Sequence, residues 1–317
     1  MGTRFGAHLL TLFVLLSVAS LFIGAKQLSW EQIAGRSDDA LLMLTASRLP
    51  RFAALVTTGV GLSICGVILQ HIVQNKFVEP ATSGGLDAAR LGILTALIFA
   101  PGAGPTGKML FALAFCCAAN LIFVAIIRRI GMNNTVLVPV VGLMYGSVLS
   151  GIAELYAYSK NLVQSMQGWL IGDFSKVIEG NYEILYLIVP VVAVAYLLAH
   201  RFTVLGMGDS IATSLGLGYA ATAAIGLILV AVTVSASVIA VGAIPFVGLV
   251  IPNLVALRCG ENLRNTLPLI ALSGACLLLA CDIVGRLLIY PFEIPIGVTA
   301  GGFGGMLFLA LIIWKNR

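Results

Sequence analysis

Long apolar runs separated by short polar breaks repeat along the whole chain. The runs predict about ten membrane-crossing helices. They cover Leu9–Ala25, Phe52–Val73, Ala81–Ala100, Met109–Ile127, Val136–Ala153, Ile184–Ala199, Tyr219–Gly242, Ala243–Leu257, Leu267–Tyr290 and Ile294–Trp314. The first run follows Arg4 and has the look of a signal peptide, but everything downstream is also membrane, so it is read as a retained span. The eighth carries Pro245 and Pro252 and is read as a broken or half-length span. Gly59, Gly61 and Gly66 give the second span a face of small residues for close helix packing.

The breaks differ from one another. Residues 26–51 are polar and mixed in charge, and residues 74–80 read Q-N-K-F-V-E-P. Residues 161–183 are amphipathic, with Trp169 suited to an interfacial anchor. Asp87 and Arg90, at i,i+3 near the start of the third span, can pair and so lower the cost of their burial. The break from Leu205 to Gly218 is bracketed by glycines at 206, 208, 216 and 218. Asp209 and Ser210 are good N-cap residues and Gly216 a natural stop, so one to two turns of helix fit between them, with Ile211 and Leu215 on one face. Helices this short are not stable alone in water. A plain polar turn and a helix that docks on a partner both fit this pattern.

Composition agrees with a polytopic membrane protein of one transmembrane domain, 1–317. The 317 residues are 60% hydrophobic and 10% charged, against roughly 25% charged in soluble domains. Mean hydropathy is +1.06. A net charge of +5 does not point to nucleic acid. The six cysteines form no C-x-x-C and lie in or beside apolar runs, which reads as buried free thiols with no metal site. The turn at 101–109 holds Gly102, Gly107 and Lys108 at the spacing of a phosphate-binding loop. Met109 stands where that loop needs Ser or Thr, and a span-length run precedes it in place of a short strand. The chain therefore has no nucleotide site of its own. His8, His71 and His200 are isolated at span ends, which argues against a membrane enzyme. Glu154, Asp282 and Arg286 are the ionisable residues that come closest to mid-membrane, too few for the relay of an ion-coupled carrier. Asp282 and Arg286, at i,i+4, can neutralise one another.

Several stretches together resemble the FecCD/BtuC-type permeases of ABC importers. R-L-P-R (48–51) opens the second span. Q-N-K-F-V-E-P is similar to the family's N-P-L-A-x-P turn, and G-D-S-I-A-T-S-L-G-L to its coupling segment. G-A-I-P-F-V-G-L-V-I-P-N, D-I-V-G-R and E-I-P-I-G-V-T resemble its C-terminal signature. Two positions depart from the pattern: Lys76 replaces the usual proline and Asn253 a frequent histidine. The resemblance implies an all-α permease with the type II importer fold in the bacterial inner membrane. Its partners would be a second permease, identical or paralogous, two ATPase subunits and an extracytoplasmic substrate-binding protein. It implies no cofactor on this chain, with ATP and magnesium bound by the partner ATPase.

The expected cargo is a ferric siderophore, with haem and cobalamin as alternatives. Asp209, Ser210, Ile211, Ala212, Leu215 and Gly216, within the segment 205–218, take the place of the ATPase-coupling helix. Arg48, Arg51 and Arg286 resemble arginines that meet the binding protein; the local alternatives are interface-flanking cations and, for Arg286, pairing with Asp282. Asn75, Phe77, Asn134 and Thr135 resemble cytoplasmic gate positions, with plain loops as the alternative. Ten spans and a cytoplasmic coupling segment place both termini in the cytoplasm.

Overall fold

The computed structural model describes residues 2–24, 38–130, 137–180 and 182–315. In chain order the helices are α1 (Gly2–Phe22), α2 (Asp38–Met43), a π turn (Leu44–Arg48), α3 (Leu49–Val73), α4 (Gly85–Phe99), α5 (Pro105–Ile130) and α6 (Leu137–Ser159). Then follow α7 (Val163–Leu170), a 3-10 turn (Glu183–Leu187), α8 (Ile188–Leu197), α9 (Ala199–Leu205), α10 (Asp209–Ser214), α11 (Tyr219–Val241), α12 (Val247–Cys259), α13 (Leu263–Leu288) and α14 (Ile296–Lys315). Each predicted span has a helical counterpart. Among the described residues, six helices are long and apolar enough to cross a membrane unaided. The remaining spans are short or bent, the apolar part of α14 running over Ile296–Leu311. α4 has 15 residues, α12 has 13, and α8 and α9 form one span bent by 65°.

The mixed-charge residues before α3 do not all lie outside the bundle, as the pattern predicts. Residues 38–48 are helical and run straight into α3. Pro50 has no N–H to give the Ala46 carbonyl four residues back. That carbonyl accepts the Glu179 N–H at 3.1 Å instead, and the helix widens into its π turn just there. The half-length α12 falls where the sequence places it, but the break predicted at 74–80 runs on to residue 84, and the turn predicted at 101–109 closes by residue 104, with α5 beginning at Pro105.

The core is built on α3, which packs against α13, α11, α12 and α8. Its glycines explain the closeness. A Cβ on Gly59 would lie 2.6 Å from the Gly274 carbonyl oxygen of α13, and one on Gly66 would overlap the Gly248 backbone of α12. Gly61 meets Ile188 and Thr233. α1 stands at the rim, packed mainly on α13. The side chain of Trp169 lies outside the described part. All six cysteines are free, four of them buried.

Candidate functional site

Three groups of predicted residues fall at two ends of the bundle. At one end α9 leads through Gly206–Gly208 into α10. Gly208, at φ +104°, is the N-cap, a conformation that suits glycine. Asp209 is therefore not the cap, as the sequence suggests. It is the first helical residue, and its carboxylate accepts the Thr213 hydroxyl at 3.1 Å. The end of α10 is as expected. Gly216 has φ +79°. Its N–H reaches the Thr213 carbonyl and the Leu217 N–H reaches that of Ala212, each at 2.9 Å, the paired bonds of a Schellman stop.

The faces of α10 are sharply divided. Ala212 is wholly buried against the chain, while Ile211 is 48% exposed, Leu215 64% and Met207 53%. Ser210 and Ser214 are exposed. Ala212 thus stays small to seat the helix on its own chain; Ile211 and Leu215 project away from it. The root of α10 rests on α3, where Gly206 leaves room for His71, whose Nδ1 lies 3.1 Å from the Phe202 carbonyl. The Arg128 guanidinium lies 5.1 Å from the centre of the Tyr219 ring, tying the end of α5 to the start of α11.

The 74–84 break begins beside this root. Gln74 ends α3 at φ +54°. Asn75 is buried, and its side-chain oxygen accepts the Phe77 N–H at 2.9 Å. Phe77 packs edge-on against Phe308 of α14, centroids 5.8 Å apart. The two positions that depart from the family pattern touch: the Asn253 amide donates to the Lys76 carbonyl at 2.7 Å. Lys76 also pairs with Glu261. Behind the break is a cavity of ≈ 120 Å³ lined by Gln70, His71, Gln74, Asn253, Glu261 and Thr266. Asn134 and Thr135, the other gate positions, lie outside the described residues.

Arg48, Arg51 and Arg286 meet at the opposite end. Arg51 bonds Asp282 and Glu293, each at 2.7 Å, and Arg286 pairs with the other Asp282 oxygen. Arg286 also donates to the Ser20 carbonyl at 3.0 Å and Arg48 to the Phe22 carbonyl at 2.9 Å. Two guanidiniums from distant helices therefore satisfy the last carbonyls of α1, where the helix dipole is negative. The sequence shows the Asp282–Arg286 pair by spacing. It does not show Glu293 or the end of α1, because those partners lie from 26 to 266 positions away along the chain. Within the bundle Asp87 and Arg90 do pair, at 3.5 Å, and Arg90 donates to Ser150 at 3.2 Å. Among the described residues no cluster of His, Cys, Asp and Glu could hold a metal.

Residues 11–314 match the FecCD transport family. The chain is 56% identical to the ferric-anguibactin transport system permease FatD of Vibrio anguillarum, over 95% of this chain and 96% of that protein. It is 45% identical to the petrobactin import system permease YclN of Bacillus subtilis, over 98% of each. Among solved structures it is similar to an inward-facing conformation of a metal-chelate type ABC transporter. That likeness has a TM-score of 0.80 and 26% identity, over 99% of each chain.

Proposed function

The chain belongs to the FecCD transport family, and from that premise we propose that it is the permease subunit of an ATP-driven importer that carries a ferric siderophore across the bacterial inner membrane. The observation that carries the ATP-driven part is α10. It is too short to stand alone, lies outside the spans, and presents Ile211 and Leu215 at 48% and 64% exposure. An apolar cleft on an ATPase subunit is the occupant that suits it. ATP and magnesium bind on that subunit, and hydrolysis there moves α8, α9 and α11 through α10. The cargo follows the ferric anguibactin and petrobactin for which its relatives are named.

A second permease, identical or paralogous, completes the path. The termini and α10 face the cytoplasm, and Asn75 and Phe77, with Asn134 and Thr135, form the cytoplasmic gate. The arginine end faces outward, where a substrate-binding protein docks. The purified chain alone is expected to hydrolyse no ATP. With its ATPase, second permease and loaded binding protein in vesicles, it is expected to accumulate ferric siderophore. Hydrolysis by the chain alone would overturn the reading, and uptake of haem or cobalamin in place of the siderophore would overturn its cargo.

A further inference from the structure

The start of α12 lies deep in the bundle. The helix has 13 residues from Val247 to Cys259, so its two ends stand about 18 Å apart. No side chain of its own caps the helix: Phe246 takes the N-cap position at φ +68° without a side-chain bond. The first N–H groups of a helix have no partner within it, and in an apolar interior each unmet group is costly. Glu79, 167 positions earlier in the 74–84 break, supplies what is missing. Its Oε1 accepts the Phe246 N–H at 3.0 Å. The carboxylate is 3% exposed and takes part in no ion pair among the described residues. A buried carboxylate without a cation is expensive and in a membrane marks a working position.

Further bonds join the same two pieces. Asn253 of α12 holds the Lys76 carbonyl, and Lys76 pairs with Glu261 just past the end of α12. The break is thus fastened to α12 at its start, its middle and its end. Ring and van der Waals contacts join these pieces to α14. Phe77 meets Phe308, and Phe246 lies where a Cβ on Gly304 would be. Contacts of that kind can slide, and the Lys76–Glu261 pair is exposed; the Glu79–Phe246 bond cannot be given up without leaving buried groups unmet.

We propose that Glu79 is a positioning residue which makes the 74–84 break and α12 a single body that moves against α14 when the path opens and closes. This rests on the permease reading above. In the assembled transporter, Glu79→Gln keeps an oxygen that accepts the same Phe246 N–H. Its uptake per ATP hydrolysed is expected to stay within about threefold of the parent, while Glu79→Ala loses about tenfold or more, the scale of a buried donor left unsatisfied. Parental uptake per ATP in Glu79→Ala, or a Glu79→Gln variant as defective as Glu79→Ala, would overturn the proposal.

A second measurement needs no substrate and so separates this idea from the cargo assignment. Spin labels on Ala81→Cys and Arg258→Cys, in a chain whose half-buried thiols Cys117 and Cys259 are replaced by serine, report the distance between the break and the end of α12. That distance is expected to stay fixed as nucleotide is added to the complex, with Glu79 intact. A nucleotide-driven change in it would show that the two pieces part, and would sink the idea even if ferric siderophore is carried.

Discussion

At one end of the bundle Arg48, Arg51 and Arg286 turn inward, to Asp282, Glu293 and the carbonyls of α1. At the other, Met207, Ile211 and Leu215 turn outward from a helix of six residues whose buried contact is Ala212. Charge is spent within the chain at the first end, and apolar surface is left unspent at the second. The contrast separates a scaffold from a contact. A charged group already bonded inside its own chain has little left for a partner. A large apolar side chain projecting from a short helix contributes little to its own fold, and burying it on a partner gains about 1.5–3 kcal/mol.

The largest effect expected is at the arginine end. Asp282→Ala leaves Arg51 and Arg286 without their shared carboxylate, a loss of about 3–5 kcal/mol for a broken buried pair. It should appear as a clear drop in the unfolding temperature in detergent; an unchanged temperature would mean that this end is not held by pairing. Next comes Leu215→Asp. Because Leu215 is exposed, insertion and unfolding temperature should stay as they are. A carboxylate in the apolar contact should lower hydrolysis stimulated by loaded binding protein about a hundredfold. Intact assembly and stimulation in that variant would reduce α10 to a turn.

Smaller again is a division within the arginines. Arg51 keeps 15% of its side chain exposed, whereas Arg48 is 9% exposed. Arg51→Glu is expected to weaken binding-protein affinity about tenfold and to flatten its salt dependence. Both variants should lower stability, since Arg51 shares the Asp282 carboxylate, but Arg48→Glu should leave the salt slope alone. Equal effects of both on the salt slope would break the contrast between the two ends. The smallest effect belongs to Asp209→Ala. As the first helical residue, not the cap, Asp209 favours the helix through its charge near the positive end and the exposed bond from the Thr213 hydroxyl, so the loss should be about half a kcal/mol, read from the same coupling assay.

Much of the fold was legible because a membrane imposes length and apolarity on every span. The limits of α11 were readable to within a residue, since glycines close both its ends. The half length of α12 was readable from Pro245, Pro252 and the charge at Arg258. The helical extension at 38–48 was not, because Asp38, Asp39 and Arg48 look solvent-facing until the end of α1 is known to lie beside Arg48. The division of α10 into faces was visible at Ile211 and Leu215. The role of Ala212 was not, since small size suits either surface. Gly208 took the cap from Asp209 because a positive φ is invisible in a pattern that counts glycine only as punctuation. Glu79 went unread among the gate residues: its partner is a backbone N–H on another helix, and no side-chain motif encodes that.

The bonds at the end of α1 also bear on the order in which the protein is made. Chains leave the ribosome from the N-terminus, and early segments begin to fold first. α1 enters the bilayer long before Arg286 has been synthesised, yet the Ser20 carbonyl to which Arg286 donates is 266 positions upstream of it. Arg48 arrives early enough to hold the Phe22 carbonyl, and the rest of the helix end must stay at the wet edge of the membrane until α13 is inserted. One of the earliest helices to be translated is therefore among the last to be finished, and a ribosome-bound chain stopped before α13 should leave the end of α1 open to water-soluble reagents.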